Sequence, residues 1–254
     1  MNIPSLFSAL IQHPKTLLKS DHIFLISHMR GNTSLLSHLL GNHSEIEGYY
    51  EMHIGYYSWK SLYRQKLLYL QEHTLKAKSH YFFDKILHNE HDISREILTK
   101  SKVIIMLREP EQTIRSIINL YKKTEPNHAY CNAENATQYY IERLQGIYEL
   151  AQKIPGQFYY LQADELRHSP EQQLLKLQHY LDLNSPISAE YENFKNTGKE
   201  KYGDSSSNIK TGKIQKQATD YSSIELDETL LTVAIEKYHH INQFLQQNTA
   251  KNTL

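Results

Sequence analysis

Short apolar runs recur along the chain, separated by longer segments in which apolar and polar residues alternate with a helical period. Each run is bounded by polar residues, which is typical of a buried strand in a parallel sheet. The runs predict the strands His22–Ser27, His80–Leu87, Lys102–Leu107 and Gln157–Leu161.

The segments between these runs place apolar side chains on one helical face. They predict the helices Thr33–Gly41, Tyr57–Lys76, Pro110–Lys123, Glu134–Lys153, Pro170–Leu181 and Glu225–Gln247. Strands that alternate with helices predict an α/β fold of three layers, with a mostly parallel central sheet and helices on both faces. Because no repeat or linker divides the sequence, we expect residues 1–254 to form a single domain.

Two regions depart from this alternation. The first twenty residues suit an amphipathic opening helix that Pro14 kinks or divides. From Asn193 to Tyr221 the chain is rich in Lys, Gly, Ser, Asn and Thr and has few apolar residues. Loops of this length inside a compact domain are usually functional or disordered. We therefore expect residues 193–221 to form an active-site loop or a mobile loop.

The charge balance and the hydropathy exclude several classes of protein. Lys plus Arg number 28 and Asp plus Glu number 28, so the net charge is zero with neutral histidine. A general nucleic-acid binder normally carries a basic excess, so no nucleic-acid partner is expected. No stretch reaches the roughly 20 apolar residues of a membrane helix, and the first twenty residues do not resemble a signal peptide. The sequence predicts a cytoplasmic protein without a membrane span and leaves the oligomeric state open.

The loop that follows the first predicted strand is a candidate anion site. In open parallel sheets, ligands bind beyond the carboxyl ends of the strands. The loop Ser27–Ser34 (SHMRGNTS) leads into a helix, whose first backbone N–H groups would point at one spot together with the Arg30 side chain. The same residues would also serve as an ordinary turn and helix cap, so both interpretations stay open.

A second candidate site follows the strand Lys102–Leu107. Arg108 ends this strand, and Ser116 lies about two turns into the next helix. The planar guanidinium of arginine suits a bidentate contact with phosphate, although an arginine after a strand is also commonly a surface charge. The chain lacks the G-x-x-x-x-G-K-[ST] spacing, and no G-x-G-x-x-G sequence follows a predicted strand.

Taken together, the two segments resemble the sulfotransferases that use 3′-phosphoadenosine 5′-phosphosulfate (PAPS). Met29–Leu36 (MRGNTSLL) is similar to the family's 5′-phosphosulfate loop, P-[RK]-S-G-[ST]-[ST]-x-L. Arg108-Glu109-Pro110 with Ser116 matches the family's 3′-phosphate motif, R-x-P-x-x-x-x-x-S. Two further segments are similar to family stretches and keep their order: Gly41–Ile46 and Asp164–Leu166 with Pro170. The resemblance covers most of the chain, from about residue 23 to residue 183.

The resemblance implies a P-loop-like nucleotide-binding fold, PAPS as co-substrate and no metal. The residues that it implies for nucleotide binding are Arg30, Gly31, Asn32, Thr33, Ser34, Arg108, Ser116, Lys210 and Lys213. Gly31-Asn32 replaces the family's usual Ser-Gly, and asparagine tolerates a positive φ better than other non-glycine residues. We therefore expect Asn32 to preserve the turn. Ala163 stands where many members place a tyrosine against adenine. The single cysteine, Cys131, excludes a multi-thiolate metal site.

The resemblance also implies a base that removes the acceptor proton and a cation near the transferred group. Glu51 is the first candidate for the base, His53 the second and His88 the third. Lys85, in a segment similar to the family's D-K sequence, is implied to neutralise the leaving phosphate or the sulfuryl oxygens. We expect the tyrosine-rich stretch Tyr49–Tyr69 to form one wall of the acceptor cleft, which would suit sugars, phenols or lipids.

The leading hypothesis is a sulfotransferase that moves a sulfuryl group from PAPS to an acceptor hydroxyl by in-line displacement. The acceptor class stays open among carbohydrates, lipids and small molecules. One alternative is a degenerate, non-catalytic nucleotide-binding protein, which the departures at Gly31-Asn32 and Ala163 would suit. A second alternative is a P-loop kinase, against which the missing Lys-[ST] step argues.

Overall fold

Five parallel strands form the central sheet in the described part of the chain. The computed structural model describes residues 20–195, 197–198, 208–216 and 219–251. The strands are β1 (Asp21–Ile26), β2 (Ile46–Glu47), β3 (Tyr81–Ile86), β4 (Lys102–Leu107) and β5 (Phe158–Gln162). They lie in the order β2-β3-β1-β4-β5, and each neighbouring pair is parallel. Their carboxyl ends therefore meet at one edge of the sheet.

The connections between the strands contain most of the helices. These are α1 (Thr33–Asn42), α2 (Trp59–Leu70), α3 (Arg95–Leu98), α4 (Pro110–Thr124), α5 (Ala133–Gln152), α6 (Glu165–His168), α7 (Pro170–Leu181) and α8 (Glu228–Asn248). Short 3₁₀ helices occur at Ala129–Cys131 and Asn208–Thr211. Helix α4 begins at a proline, whose missing N–H costs nothing at the first helical position. Among the described helices, none is both long and apolar enough to cross a membrane.

Helices cover both faces of the sheet. In β1, Phe24 and Ile26 face one side and pack in a core with α4, α5 and α8. Ile23 and Leu25 face the other side and pack in a second core with α1 and α7. All four side chains are completely buried, as an apolar run in a parallel sheet requires. The predicted three-layer α/β fold with a parallel sheet is confirmed.

The predicted elements agree with the observed ones to within three residues, except at the end of α2. This helix ends at Leu70 instead of Lys76. Lys76 instead lies beside β2, where its ammonium donates hydrogen bonds to the carbonyls of His43 and Ile46, at 3.0 and 2.6 Å. The short elements β2, α3 and α6 were not predicted, because a few residues carry no detectable period. The predicted opening helix lies outside the described residues.

Candidate functional site

A cavity of about 720 Å³ lies at the edge of the sheet where the strands end, a volume typical of small-ligand sites. Most of the candidate residues line it: Arg30, Asn32, Thr33, Ser34, Glu51, His53, Lys85, His88, Arg108, Ser116 and Lys213. Gly31 lies within the same loop as Arg30, whereas Lys210 is not part of the lining. The parallel topology thus brings together residues that are far apart in the sequence.

The cavity has two chemically different ends. The first, here called the arginine end, is formed by Arg30, Arg108, Ser116 and Arg167. The second, here called the carboxylate end, is formed by Glu51, His53, His88, Tyr121, Thr124 and Glu125. Lys85 also lines the cavity; it lies within β3, and only 2% of it is exposed.

Two adjacent residues shape the loop between β1 and α1. Asn32 has a φ of 59° and so adopts the left-handed conformation expected of it. Gly31 is needed for lack of space: a Cβ at this position would lie only 2.8 Å from the Ser27 hydroxyl oxygen and 3.2 Å from the His28 ring. The loop leads directly into the N terminus of α1, whose backbone N–H groups and dipole favour an anion.

Guanidinium groups converge at the arginine end. Arg30 Nε donates a hydrogen bond to Ser116 Oγ at 2.9 Å, and Arg108 Nη1 lies 3.5 Å from the Arg30 carbonyl oxygen. The Arg108 side chain is only 6% exposed, and its Nε lies 3.7 Å from Asp164 Oδ1. Guanidinium groups placed together in this way suit bidentate contacts with an anion that carries several charges.

Helix α5 braces the ends of β1 and β3. Arg143, which is 2% exposed, donates from Nε to the Ser27 carbonyl at 2.8 Å and from Nη2 to a carbonyl in β3 at 2.7 Å. The Tyr139 hydroxyl accepts the Met29 N–H at 2.9 Å. Burial lowers the pKa of Arg143 to about 10, so this side chain still carries its charge at neutral pH. Both side chains fix the backbone around the cavity.

A buried histidine links the loop after β1 to the end of β4. His28 Nε2 accepts the Arg108 backbone N–H at 3.0 Å, and Nδ1–H donates to the Met29 carbonyl at 2.9 Å. Burial lowers the pKa of His28 to about 4, and the positive charges of Arg143 and Arg108 act in the same direction. The imidazole is therefore neutral at pH 7, as its role as an acceptor requires.

A buried carboxyl group holds the segment that carries two of the base candidates. Asp84 is completely buried; its Oδ1 accepts the Met52 N–H at 3.0 Å, and its Oδ2 accepts the Tyr56 O–H at 2.5 Å. Burial raises the pKa of Asp84 to about 7, although these hydrogen bonds act in the opposite direction. The segment between Glu51 and Gly55 has no helix or strand, so Asp84 supplies the contact that fixes its position.

The histidine and the carboxyl group lead to a prediction about pH. Unfolded histidine binds a proton near pH 6.5, whereas folded His28 does so only near pH 4, so acid in this range favours unfolding. We expect His28 to remove roughly 2 kcal/mol of stability between pH 7 and pH 5. His28→Gln does not undergo this loss. The excess unfolding free energy of wild type over His28→Gln should therefore be smaller at pH 5 than at pH 7, by roughly 2 kcal/mol.

Urea unfolding of wild type and His28→Gln at pH 7 and pH 5 measures this narrowing. Asp84 acts in the opposite direction: its raised pKa favours the folded protonated form as pH falls. His22, whose pKa burial also lowers to about 4, adds to the wild-type loss. Both groups are present in the two proteins and cancel from the difference. A difference that is the same at both pH values would contradict the prediction.

Glu51 and His53 lie side by side at the carboxylate end. Glu51 Oε1 is 3.6 Å from His53 Nδ1, and the two side chains are 10% and 56% exposed. This buried oxygen has no hydrogen-bond partner within the described residues. Burial lowers the pKa of His88, so this third candidate is held neutral. A nearly buried carboxylate oxygen without a partner is well suited to accept a proton from a ligand.

The last turn of α4 completes the carboxylate end. Burial raises the pKa of the Tyr121 hydroxyl to about 12, and the charges of Glu125 and Glu51 act in the same direction. This hydroxyl lies 3.6 Å from the Met29 sulfur. Since Ser116 belongs to the same helix, one element forms a wall of both ends of the cavity.

The stretch Tyr49–Tyr69 contributes Glu51 and His53 to the cavity lining, but the expectation that its tyrosines form a wall of the cleft is wrong. None of its tyrosines belongs to the described residues that line the cavity. Tyr56 points inward to Asp84, Tyr69 donates to Glu47 at 2.9 Å, and Tyr57 is 63% exposed. The tyrosines that do line the cavity come from other parts of the chain: Tyr121, Tyr191 and Tyr221.

The predicted loop 193–221 contributes in part. Lys213, Thr219 and Tyr221 line the cavity. The Lys210 carbonyl accepts a hydrogen bond from Asn193 Nδ2 at 2.9 Å, and its side chain is exposed. Residues 196, 199–207 and 217–218 of this loop lie outside the described ranges.

Several residues of the lining were not singled out from the sequence, and three of them, Arg167, Tyr121 and Tyr221, matter most for the site. Arg167 donates from Nη2 to Asn32 Oδ1 at 3.0 Å and follows β5, so the rule that selected Arg108 at the end of β4 would also have found it. The other two, Tyr121 and Tyr221, have no such signal. The first lies on an ordinary helix, and the second lies in a loop without a pattern.

Comparison with solved structures identifies the fold. The sulfotransferase domain from the curacin biosynthetic pathway superposes with a TM-score of 0.60 and 17% identity, over 88% of this chain and 98% of that one. The sulfotransferase domain from the Synechococcus PCC 7002 olefin synthase gives 0.58 and 14%, over 87% and 95%. Mouse sulfotransferase SULT7A1 complexed with PAP gives 0.53 and 12%, over 97% and 90%.

No family model matches the sequence, and no curated protein matches it. The likeness therefore rests on the arrangement of the backbone, and at these identities it shows the fold alone. The chain has the sulfotransferase fold.

Proposed function

We propose that the protein is a sulfotransferase that transfers a sulfuryl group from PAPS to an acceptor hydroxyl. One observation carries this proposal: a single cavity is lined by three arginines, two lysines and a nearly buried carboxylate whose Oε1 has no hydrogen-bond partner among the described residues. Cations suit the phosphates and the transferred group, and the carboxylate suits the acceptor proton. The acceptor belongs to the carbohydrates, lipids or small molecules that a cavity of this size admits.

The residues at the arginine end fit a nucleotide with phosphates at both its 5′ and 3′ positions. The loop before α1 offers backbone N–H groups to one phosphate. Arg108 and Ser116, which contact this loop at Arg30, would hold the second phosphate in the manner of the family's 3′-phosphate motif. Ala163 is completely buried and has only a methyl side chain, so this position presents no ring to adenine. The nucleotide, when bound, supplies the sulfuryl group.

Each chain residue has a distinct chemical task in this proposal. Glu51 Oε1 takes the proton of the acceptor hydroxyl, and Asp84 holds the Glu51 segment through the Met52 N–H. Lys85 and Arg30 stabilise the negative charge that develops on the phosphate and sulfuryl oxygens. Lys85 is nearly buried, and its charge acts more strongly there than in water.

A non-catalytic nucleotide-binding protein is the alternative, and the altered loop at Gly31-Asn32 is the observation that favours it. The position of Asn32 weakens this alternative, because the residue adopts the required positive φ without glycine. The alternative would be supported over the sulfotransferase if wild type, Glu51→Gln and His53→Gln all bind the nucleotide and wild type shows no turnover.

Thermal unfolding with adenosine 3′,5′-bisphosphate (PAP) tests the nucleotide assignment directly. A ligand that binds only the native state at one hundred times its Kd stabilises it by about 2.7 kcal/mol. For a chain of this size, we expect Tm to rise by about 5–10 °C. Adenosine at the same concentration, which lacks both phosphates, serves as the control. No rise in Tm with millimolar PAP would overturn the assignment.

A further inference from the structure

Tyr221 reaches the arginine end from a segment outside both sequence motifs. It lies in the cavity lining next to Thr219, seven residues before α8. Its hydroxyl makes hydrogen bonds with the side chains of Ser116 and Arg30. Hydrogen bonds from Ser222 lower the pKa of the neighbouring Asp220 carboxyl, and the charge of Arg115 on α4 acts in the same direction.

The hydrogen-bond partners of Tyr221 determine which role its oxygen plays. Arginine has only donors, so the phenol oxygen is the acceptor in the bond with Arg30. Burial by itself raises the pKa of Tyr221, but the hydrogen bonds with Ser116, Thr219 and Arg30 and the charge of Arg30 outweigh it and lower the pKa. Because the bond with Arg30 uses the oxygen as an acceptor, the phenol proton is free to turn toward an anion in the cavity. A phenol polarised by a cation is a stronger donor than an ordinary tyrosine.

The cavity keeps its volume with Tyr221 in place. The 720 Å³ are those that remain with this side chain in the wall, and this is ample for a nucleotide-sized ligand. The phenol therefore borders the space and does not fill it. Of the two lysines expected from this loop, Lys213 also lines the cavity and Lys210 does not.

We propose that Tyr221 is a specificity-determining residue for the nucleotide, whose hydroxyl donates a hydrogen bond to the phosphate held by Arg108 and Ser116. This inference rests on the proposed function and extends it, because it adds the segment before α8 to the nucleotide site. Tyr221 would then discriminate nucleotides that carry a 3′-phosphate from those that lack it.

Calorimetric titration of Tyr221→Phe with PAP and with adenosine 5′-monophosphate (AMP) tests this assignment. We expect the Kd for PAP to rise about tenfold, as the loss of one charge-assisted hydrogen bond implies. The Kd for AMP should change less than twofold, because AMP has no 3′-phosphate. Tyr148→Phe is the matched control: Tyr148 is also partly buried, packs against Phe244 and lies outside the cavity lining, so neither Kd should change.

Three results would overturn the inference. An equal weakening of PAP and AMP would mean that Tyr221 supports the loop without contacting the 3′-phosphate. Tighter binding of PAP would mean that the phenol competes with the ligand, and no change with either nucleotide would make it a passive part of the wall. Failure of wild type to bind PAP is a separate outcome, since it overturns the proposed function itself and this inference with it.

Discussion

Replacement of Glu51 by glutamine is expected to lower turnover by about 10²–10⁴-fold, the usual consequence of losing a general base. Glutamine keeps the size of the side chain and much of its hydrogen bonding, but it cannot take the acceptor proton at neutral pH. The affinity for PAP should change little, because Glu51 lies at the carboxylate end of the cavity and the phosphates are assigned to the arginine end. Turnover with a hydroxyl acceptor and titration with PAP measure the two effects separately.

Comparison with His53→Gln and His88→Gln decides which candidate is the base. Both histidines line the same cavity, and we expect their replacement to lower turnover much less than Glu51→Gln. Glu90→Gln, at an exposed position, controls for the loss of a carboxylate as such. A large loss in His53→Gln with a small loss in Glu51→Gln would transfer the role to His53. A large loss only in His88→Gln would transfer it to the end of β3.

Replacement of Arg108 by alanine is expected to weaken the binding of PAP far more than that of AMP. A charge-assisted bidentate contact contributes about 1.5–3 kcal/mol, on the order of ten- to a hundredfold in affinity. The guanidinium is 6% exposed, so solvent screens its charge only weakly. Calorimetric titration of the variant with both nucleotides measures the ratio of the two losses.

Arg95→Ala is the control for the removal of a positive charge. Arg95 lies exposed at the start of α3, away from the cavity lining, so both nucleotides should bind this variant as they bind wild type. Equal losses of PAP and AMP affinity in Arg108→Ala would refute the assignment of this residue to the 3′-phosphate.

The parts of the fold that could be predicted are those in which the local pattern and the packing agree. β4 and α7 have the predicted bounds. β4 is a continuous apolar run, whereas α7 repeats its apolar residues with a helical period and begins at Pro170, a residue suited to the first turn. β2 could not be predicted, since its Glu47 is completely buried. The Glu47 carboxylate accepts a hydrogen bond from Tyr69 on helix α2, and the local sequence around Glu47 gives no sign of this contact.

The same distinction explains what could be predicted about the site. Arg30, Arg108 and Ser116 follow strongly apolar strands, so the strand-end rule and the family resemblance both selected them. Tyr221 has no such position: a tertiary contact with α4 brings it to the cavity. The stretch Tyr49–Tyr69 was assigned to the cleft by composition, which does not state the direction of a side chain. These directions depend on distant partners such as Asp84.

Helix α4 fixes the distance between the arginine end and the carboxylate end of the cavity, because it lines both ends. Ser116 and Thr124 are eight residues apart, which corresponds to about 12 Å along the axis at a rise of 1.5 Å per residue. In the proposed sulfotransferase, the length of acceptor that fits beside the nucleotide would therefore depend on the number of residues in this helix. An insertion of one residue between Ser116 and Tyr121 would rotate the last turn by about 100° and carry Tyr121 off the cavity wall. Substitutions at Tyr121 or Thr124, in contrast, offer a way to redesign acceptor choice without disturbing the nucleotide.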